Sequence, residues 1–140
     1  MIHLLRDPLF CAGLAALWLL PCALQDYRTR RVSNWLTVPF FLLAWPIAFL
    51  TGHLALTFAV FVGVYVALQI EPYFGGADAK LMVGLAALAP LGLGLAVLLE
   101  AVVFAVLRLR RRTAVAIPGV LWLCLGALLN VTALLLAGAR

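Results

Sequence analysis

Apolar runs long enough to cross a bilayer follow one another along this chain, separated only by short polar stretches. A spanning helix needs about 20 predominantly apolar residues. No polar stretch here is long enough to hold a separate soluble domain. Hydrophobic residues make up 67% of the chain and charged residues only 11%, with a mean hydropathy of +1.19. A soluble domain has roughly half its residues apolar and about a quarter charged. In hydrocarbon every backbone N–H and C=O must find its partner within the protein, which leaves helices as the natural solution. The expected architecture is an all-α, polytopic integral membrane protein, with residues 1–140 forming a single membrane-embedded domain.

The apolar runs predict spans from about residue 4 or 9 to 24, at 35–50, at 54–70 and at 116–137, with a longer apolar region at 81–107. Pro39 and Pro46 are expected to bend the second span. The long region decides the topology. As one helix it gives five spans and sets the arginine cluster at residues 108–112 opposite the one at 28–31. As two helices, broken within Ala89-Pro-Leu-Gly-Leu-Gly94, it gives six spans and places both clusters on one side. Proline followed by two glycines is a strong breaker, and short cytoplasmic loops concentrate Lys and Arg. Six spans with both termini extracytoplasmic are therefore expected.

The formal net charge of +5 resides largely in those clusters, so charge reports topology and contact with anionic lipid head groups, not nucleic acid. Cys11, Cys22 and Cys124 lie inside apolar runs with no CxxC spacing, which suits small packing residues and neither a disulfide frame nor a zinc site. The first run is followed by its basic residues, the reverse of a cleaved signal peptide, and is read as a span.

Against this background two acidic residues are conspicuous. Asp26 ends the first apolar run, and Asp78 lies in Phe74-Gly-Gly-Ala-Asp-Ala-Lys-Leu81 at the start of another. A carboxylate at a helix centre costs roughly 2.5–3.5 kcal/mol on insertion scales, and less toward the interface. The six-span topology sets both aspartates at the cytoplasmic face. Two carboxylates a few ångströms apart cannot both ionise cheaply, so they share a proton. One can then activate water while the other protonates a leaving nitrogen, which is the chemistry of peptide hydrolysis. Taken singly, each has a plainer reading: Asp26 as an interfacial charge balanced by Arg28 and Arg30, Asp78 as a helix N-cap. Gly75 and Gly76 are expected to admit tight backbone conformations and the close approach of another chain segment, and Lys80 to pair with Asp78 or reach lipid phosphates. Asn34 is expected to cap the second span. Glu71 reads as a solvated loop charge, His53 as part of a turn on the opposite face, and Glu100 as either an interhelical hydrogen-bonding group or a minor functional residue.

The segment Asp26-Tyr-Arg-Thr-Arg-Arg-Val-Ser-Asn34-Trp-Leu-Thr37 resembles the first motif of type IV prepilin peptidases, an Asp followed by basic residues and then Ile-Pro-Asn-x-Leu-Thr. Gly75-Gly-Ala-Asp78-Ala-Lys80-Leu81 resembles their Gly-x-Gly-Asp-x-Lys-Leu motif. The resemblance covers about residues 20–110. It implies an aspartic endopeptidase of the bacterial inner membrane, multi-pass, that removes the short basic leader of prepilins or pseudopilins at the cytoplasmic face. By position, it implies Asp26 and Asp78 as the catalytic pair, with Gly75, Gly76, Lys80 and Asn34 supporting them or the substrate. It implies no metal and no organic cofactor; membrane lipids and pilus assembly machinery are the implied further partners. Three departures stand out: Ala77 replaces the glycine before the second aspartate, Ser33 replaces the proline before Asn34, and the N-terminal CxxC region of the long-form enzymes is missing. The length is like that of the short Tad/Flp-type peptidases, without the methyltransferase activity.

Two other classes compete with this expectation. A non-catalytic homologue serving pilus or secretion-system assembly would tolerate loss of both aspartates. A transporter needs a mid-membrane polar path, and Gln69, Glu100 and Asn130 are too few to outline one.

Overall fold

A computed structural model describes residues 7–70, 75–110 and 119–138. Those residues form six helices and no strand: α1 Pro8–Thr29, α2 Asn34–Thr51, α3 Leu54–Ile70, α4 Gly76–Leu88, α5 Pro90–Leu109 and α6 Gly119–Gly138. Glu71, Arg111 and Arg112, and the predicted start of the last span at residue 116, lie outside the described residues.

Each described boundary has a local cause. Asp7 caps α1 by accepting from the Leu9 N–H at 2.9 Å, and Pro8 follows at the first position, where its missing N–H costs nothing. The helix stops at Arg30, the one non-glycine with positive φ among the described residues, at 55°. α2 begins differently from expectation. Ser33, not Asn34, is its cap, its hydroxyl accepting from the Trp35 N–H at 3.3 Å; Asn34 is the first helical residue and its side chain is free for other use. Gly52, with φ 79°, ends α2 and starts the short turn into α3. Pro39 and Pro46 remain inside α2.

The break expected in the long apolar region occurs at Ala89, which takes φ −148° and ψ 71° between α4 and α5. Pro90 cannot supply an N–H to continue α4, so the chain leaves the helix there. α4 is consequently only 13 residues long, about 20 Å at 1.5 Å per residue. It lies inside the bundle, touching each of the other five helices. Leu81, Val83, Leu85, Ala86 and Ala87 are completely buried there. α1, α2, α5 and α6 are long and apolar enough to cross a membrane, and α3 is a shorter apolar helix. The outward faces carry large apolar side chains such as Phe49, Phe58, Leu98 and Phe104, a surface that hydrocarbon solvates.

Hydrocarbon supplies no hydrophobic force between helices, so close contact of small residues holds such bundles together. Gly84 of α4 receives the Phe40 ring of α2, which would collide with any Cβ there. Gly126 of α6 abuts the Gly92 carbonyl and Ala96 of α5 in the same way. The Trp18 indole donates to the Leu36 carbonyl at 2.9 Å and stacks on Phe40, tying α1 to α2. All three cysteines are buried, and none forms a disulfide.

Candidate active site

Asp26 occupies the last full turn of α1 and Asp78 the first turn of α4. The bundle brings these two helix ends together at the N-terminus of α6. Asp26 is buried, with 8% of its surface exposed, and its Oδ2 accepts from the Val120 N–H at 3.3 Å. The first amides of a helix have no intrahelical acceptor, and the helix dipole favours negative charge beside them. The adjoining residue, Gly119, faces the other carboxylate: a Cβ at Gly119 would lie 2.6 Å from Asp78 Oδ2. Both carboxylates thus pack on consecutive residues of one backbone segment. The charge of Asp26 bears directly on Asp78, as does that of Glu100.

Short bonds hold the surrounding chain in place. The Gln25 side-chain carbonyl accepts from the Ser33 N–H at 3.0 Å. The Arg30 N–H donates to the Asp26 carbonyl at 2.8 Å. Together they fold the basic α1–α2 turn back over the end of α1 that carries Asp26.

The supporting residues fare differently from one another. Gly75 is the residue preceding α4, with ordinary extended backbone (φ −74°, ψ 127°). Its lack of a side chain serves space, because a Cβ there would come 3.0 Å from Asp78 Oδ2. At Gly76 a Cβ would meet nothing within 4 Å, and φ is not positive; the structure gives no reason for glycine there. The expectation that both glycines permit special backbone conformations is therefore corrected: one is needed for room, and the other is unconstrained. Ala77 sits in regular helix, so replacing the family glycine at that place imposes no strain. Lys80 turns away from Asp78 and donates to Asn34 Oδ1 at 2.9 Å. That bond links the first turns of α4 and α2, and it replaces both the Lys80 pairing and the Asn34 cap expected from the sequence.

The arginines follow the topology that the Pro90 break implies. Arg28 and Arg30 end α1 beside Asp26, and α5 runs back to the same end of the bundle, finishing with Arg108. His53 lies at the far end, with Nδ1 3.1 Å from the Ala87 carbonyl. No grouping of three or more His, Cys, Asp or Glu side chains suited to a metal occurs among the described residues. What the site offers chemically is a pair of carboxylates, one buried and amide-bonded, the other partly open.

Sequence reasoning missed Gly119 and Val120. Their only signal is the Pro-Gly dipeptide just before an apolar run, a helix-start pattern that does not say what the helix start will touch.

No curated protein and no solved structure matches the chain significantly. The model of the type IV leader peptidase family matches residues 13–109, which includes both aspartates and leaves α6, with its contacts to both, beyond the matched region. With well over half of the chain covered by that match and its helices arranged as a multi-pass membrane bundle, the protein belongs to the type IV leader peptidase family.

Proposed function

We propose that this protein is an aspartic endopeptidase that removes the leader of type IV, Flp-like prepilins at the cytoplasmic face of the bacterial inner membrane, with Asp26 and Asp78 as its catalytic pair. The observation that carries the reading is the meeting of the two carboxylates on Gly119 and Val120 at the arginine-bearing end of the bundle. In this mechanism one carboxylate is ionised and takes a proton from a water molecule as its oxygen attacks the scissile carbonyl carbon. The other, protonated, hydrogen-bonds the carbonyl oxygen and then supplies the proton that leaves with the amine as the C–N bond breaks. The pair titrates as a unit, so acid and base are roles of the pair, not labels of either residue.

The test is co-expression with a candidate Flp-like prepilin, following leader loss by gel shift. Wild type should convert the precursor, while Asp26→Asn and Asp78→Asn should each lose at least about a thousandfold in rate and still insert in the membrane at wild-type levels. Full processing by either variant would refute the assignment.

A further inference from the structure

Glu100 is the acidic residue that the mechanism leaves unused. It lies midway along α5, and among the described residues it has neither a hydrogen-bond nor an ion-pair partner. A carboxylate at such a depth is costly and is as a rule retained for function.

Helix geometry gives its direction. The buried residues of α5 are Gly92, Leu93 and Ala96, which mark the face turned to the bundle. At about 100° per residue, Ala96 lies roughly 40° round from Gly92 and Leu93 roughly 100°; Glu100 falls between them, at about 80°. It therefore belongs to the bundle-facing stripe. It is exposed all the same, because α5 buries no residue beyond Ala96.

Packing against α6 gives its height. A Cβ at Gly92 would lie 3.3 Å from the Ala127 Cα, and one at Gly126 would lie 2.6 Å from the Ala96 Cβ. The two helices run antiparallel with the same rise of about 1.5 Å per residue. Glu100 is eight residues beyond Gly92, as Gly119 is eight before Ala127. Glu100 thus looks toward the bundle at the level of the α6 start, where Gly119 and Val120 contact Asp78 and Asp26. Its charge accordingly bears on Asp78.

Other charges near the pair are few. The helices α2, α3 and α6 carry no charged side chain. α1 brings Arg28, with Arg30 and Arg31 just past its end; α4 brings Lys80, turned to Asn34; α5 brings Arg108, eight residues beyond Glu100. Cys22, Tyr27, Tyr65 and Cys124 add thiols and hydroxyls but no carboxylate. Among the described residues Glu100 is the one further carboxylate that bears on the pair.

We propose that Glu100 is a positioning residue for the proton of the aspartate pair: as an anion facing Asp78, it keeps the singly protonated pair from losing that proton at neutral pH. The inference rests on the peptidase reading above, since it concerns the same site. The direction of the effect follows from charge. The pair works with one proton shared, so activity fails at high pH as that proton leaves and at low pH as a second arrives. A neighbouring anion opposes proton loss and favours proton uptake, which sets the whole bell at higher pH. A unit charge about 10 Å away, at an effective dielectric constant between about 20 and 80, moves each limb by roughly 0.3–1.2 pH units.

The experiment measures kcat/KM against pH for the full-length protein in liposomes of zwitterionic lipid, with one Flp-like prepilin as substrate. Glu100→Gln should move both limbs to lower pH by that amount with little change in the maximum. Glu100→Lys should move them about twice as far, and Glu100→Asp less far than Glu100→Gln. Leu98→Gln, on the side of α5 turned away from the bundle, should leave them in place. Unmoved limbs in Glu100→Gln and Glu100→Lys overturn the inference, whether or not the maximum falls, as does an equal displacement in Leu98→Gln. The peptidase reading fails separately: wild type would then cleave the prepilin at no pH.

Discussion

The two ends of this bundle solve opposite problems with the same element, a helix terminus exposed inside the protein. At one end α6 begins against α1 and α4, and its free amides meet carboxylates: Val120 N–H donates to Asp26, and Gly119 abuts Asp78. At the other end α4 stops at Ala89, and its freed carbonyl at Ala87 meets a donor, His53 Nδ1, at 3.1 Å. Exposed amides attract acceptors and anions; exposed carbonyls attract donors. The difference lies in surplus. His53 and Thr51 converge on the single Ala87 carbonyl at the far end, whereas two carboxylates crowd an α6 start that satisfies one of them with a single amide. The excess polar capacity sits where chemistry is proposed, and the closed end reads as structure alone.

Changes at the α6 start should break this contrast most severely. Gly119→Ala places a methyl 2.6 Å from Asp78 Oδ2 and must displace that carboxylate or the helix. Leader cleavage should fall by about a hundredfold, since small misplacements of catalytic groups cost that much, with little change in thermal stability measured in detergent. Activity within a fewfold of wild type would mean that the contact does not set the site. An intermediate effect is expected at the edge of the site. Asn34→Ala removes the acceptor of Lys80 Nζ, a bond between the first turns of α2 and α4. Loss of one exposed, charge-assisted hydrogen bond should reduce kcat/KM by roughly three- to tenfold, and Asn34→Asp should restore most of it. The smallest effect belongs to the closed end. His53→Ala leaves the Ala87 carbonyl without its ring donor and should lower stability by about 1 kcal/mol, read as a shift of the melting temperature, while cleavage kinetics stay unchanged. A kinetic defect in His53→Ala would erase the distinction between the two ends.

The large features of this fold are legible in the sequence because hydrocarbon leaves few choices. The apolar runs, the Ala89–Pro90 interruption and the arginine positions suffice for six helices with both basic ends on one side. Asp26 and Asp78 are legible for the same reason: few carboxylates border such runs. Finer assignments fail where a residue has two uses. Ser33 and Asn34 are both good caps, and the deciding factor is that Lys80, forty-six positions away, claims Asn34. Gly75 and Gly76 look like one conformational device, yet only Gly75 lies against a carboxylate. Gly119 and Val120 are the deepest omission, since their contacts join residues up to ninety-four positions apart and no local pattern encodes which helix end will arrive there.

The central claim is that Asp26 and Asp78 act as one unit. The most direct measurement compares cleavage rates of Asp26→Asn, Asp78→Asn and the double variant with wild type in the same membranes. Groups acting together are strongly non-additive when removed, so the double variant should be no slower than either single one, all three lying near the uncatalysed background. Stepwise additive losses, or measurable cleavage by the double variant, would contradict it.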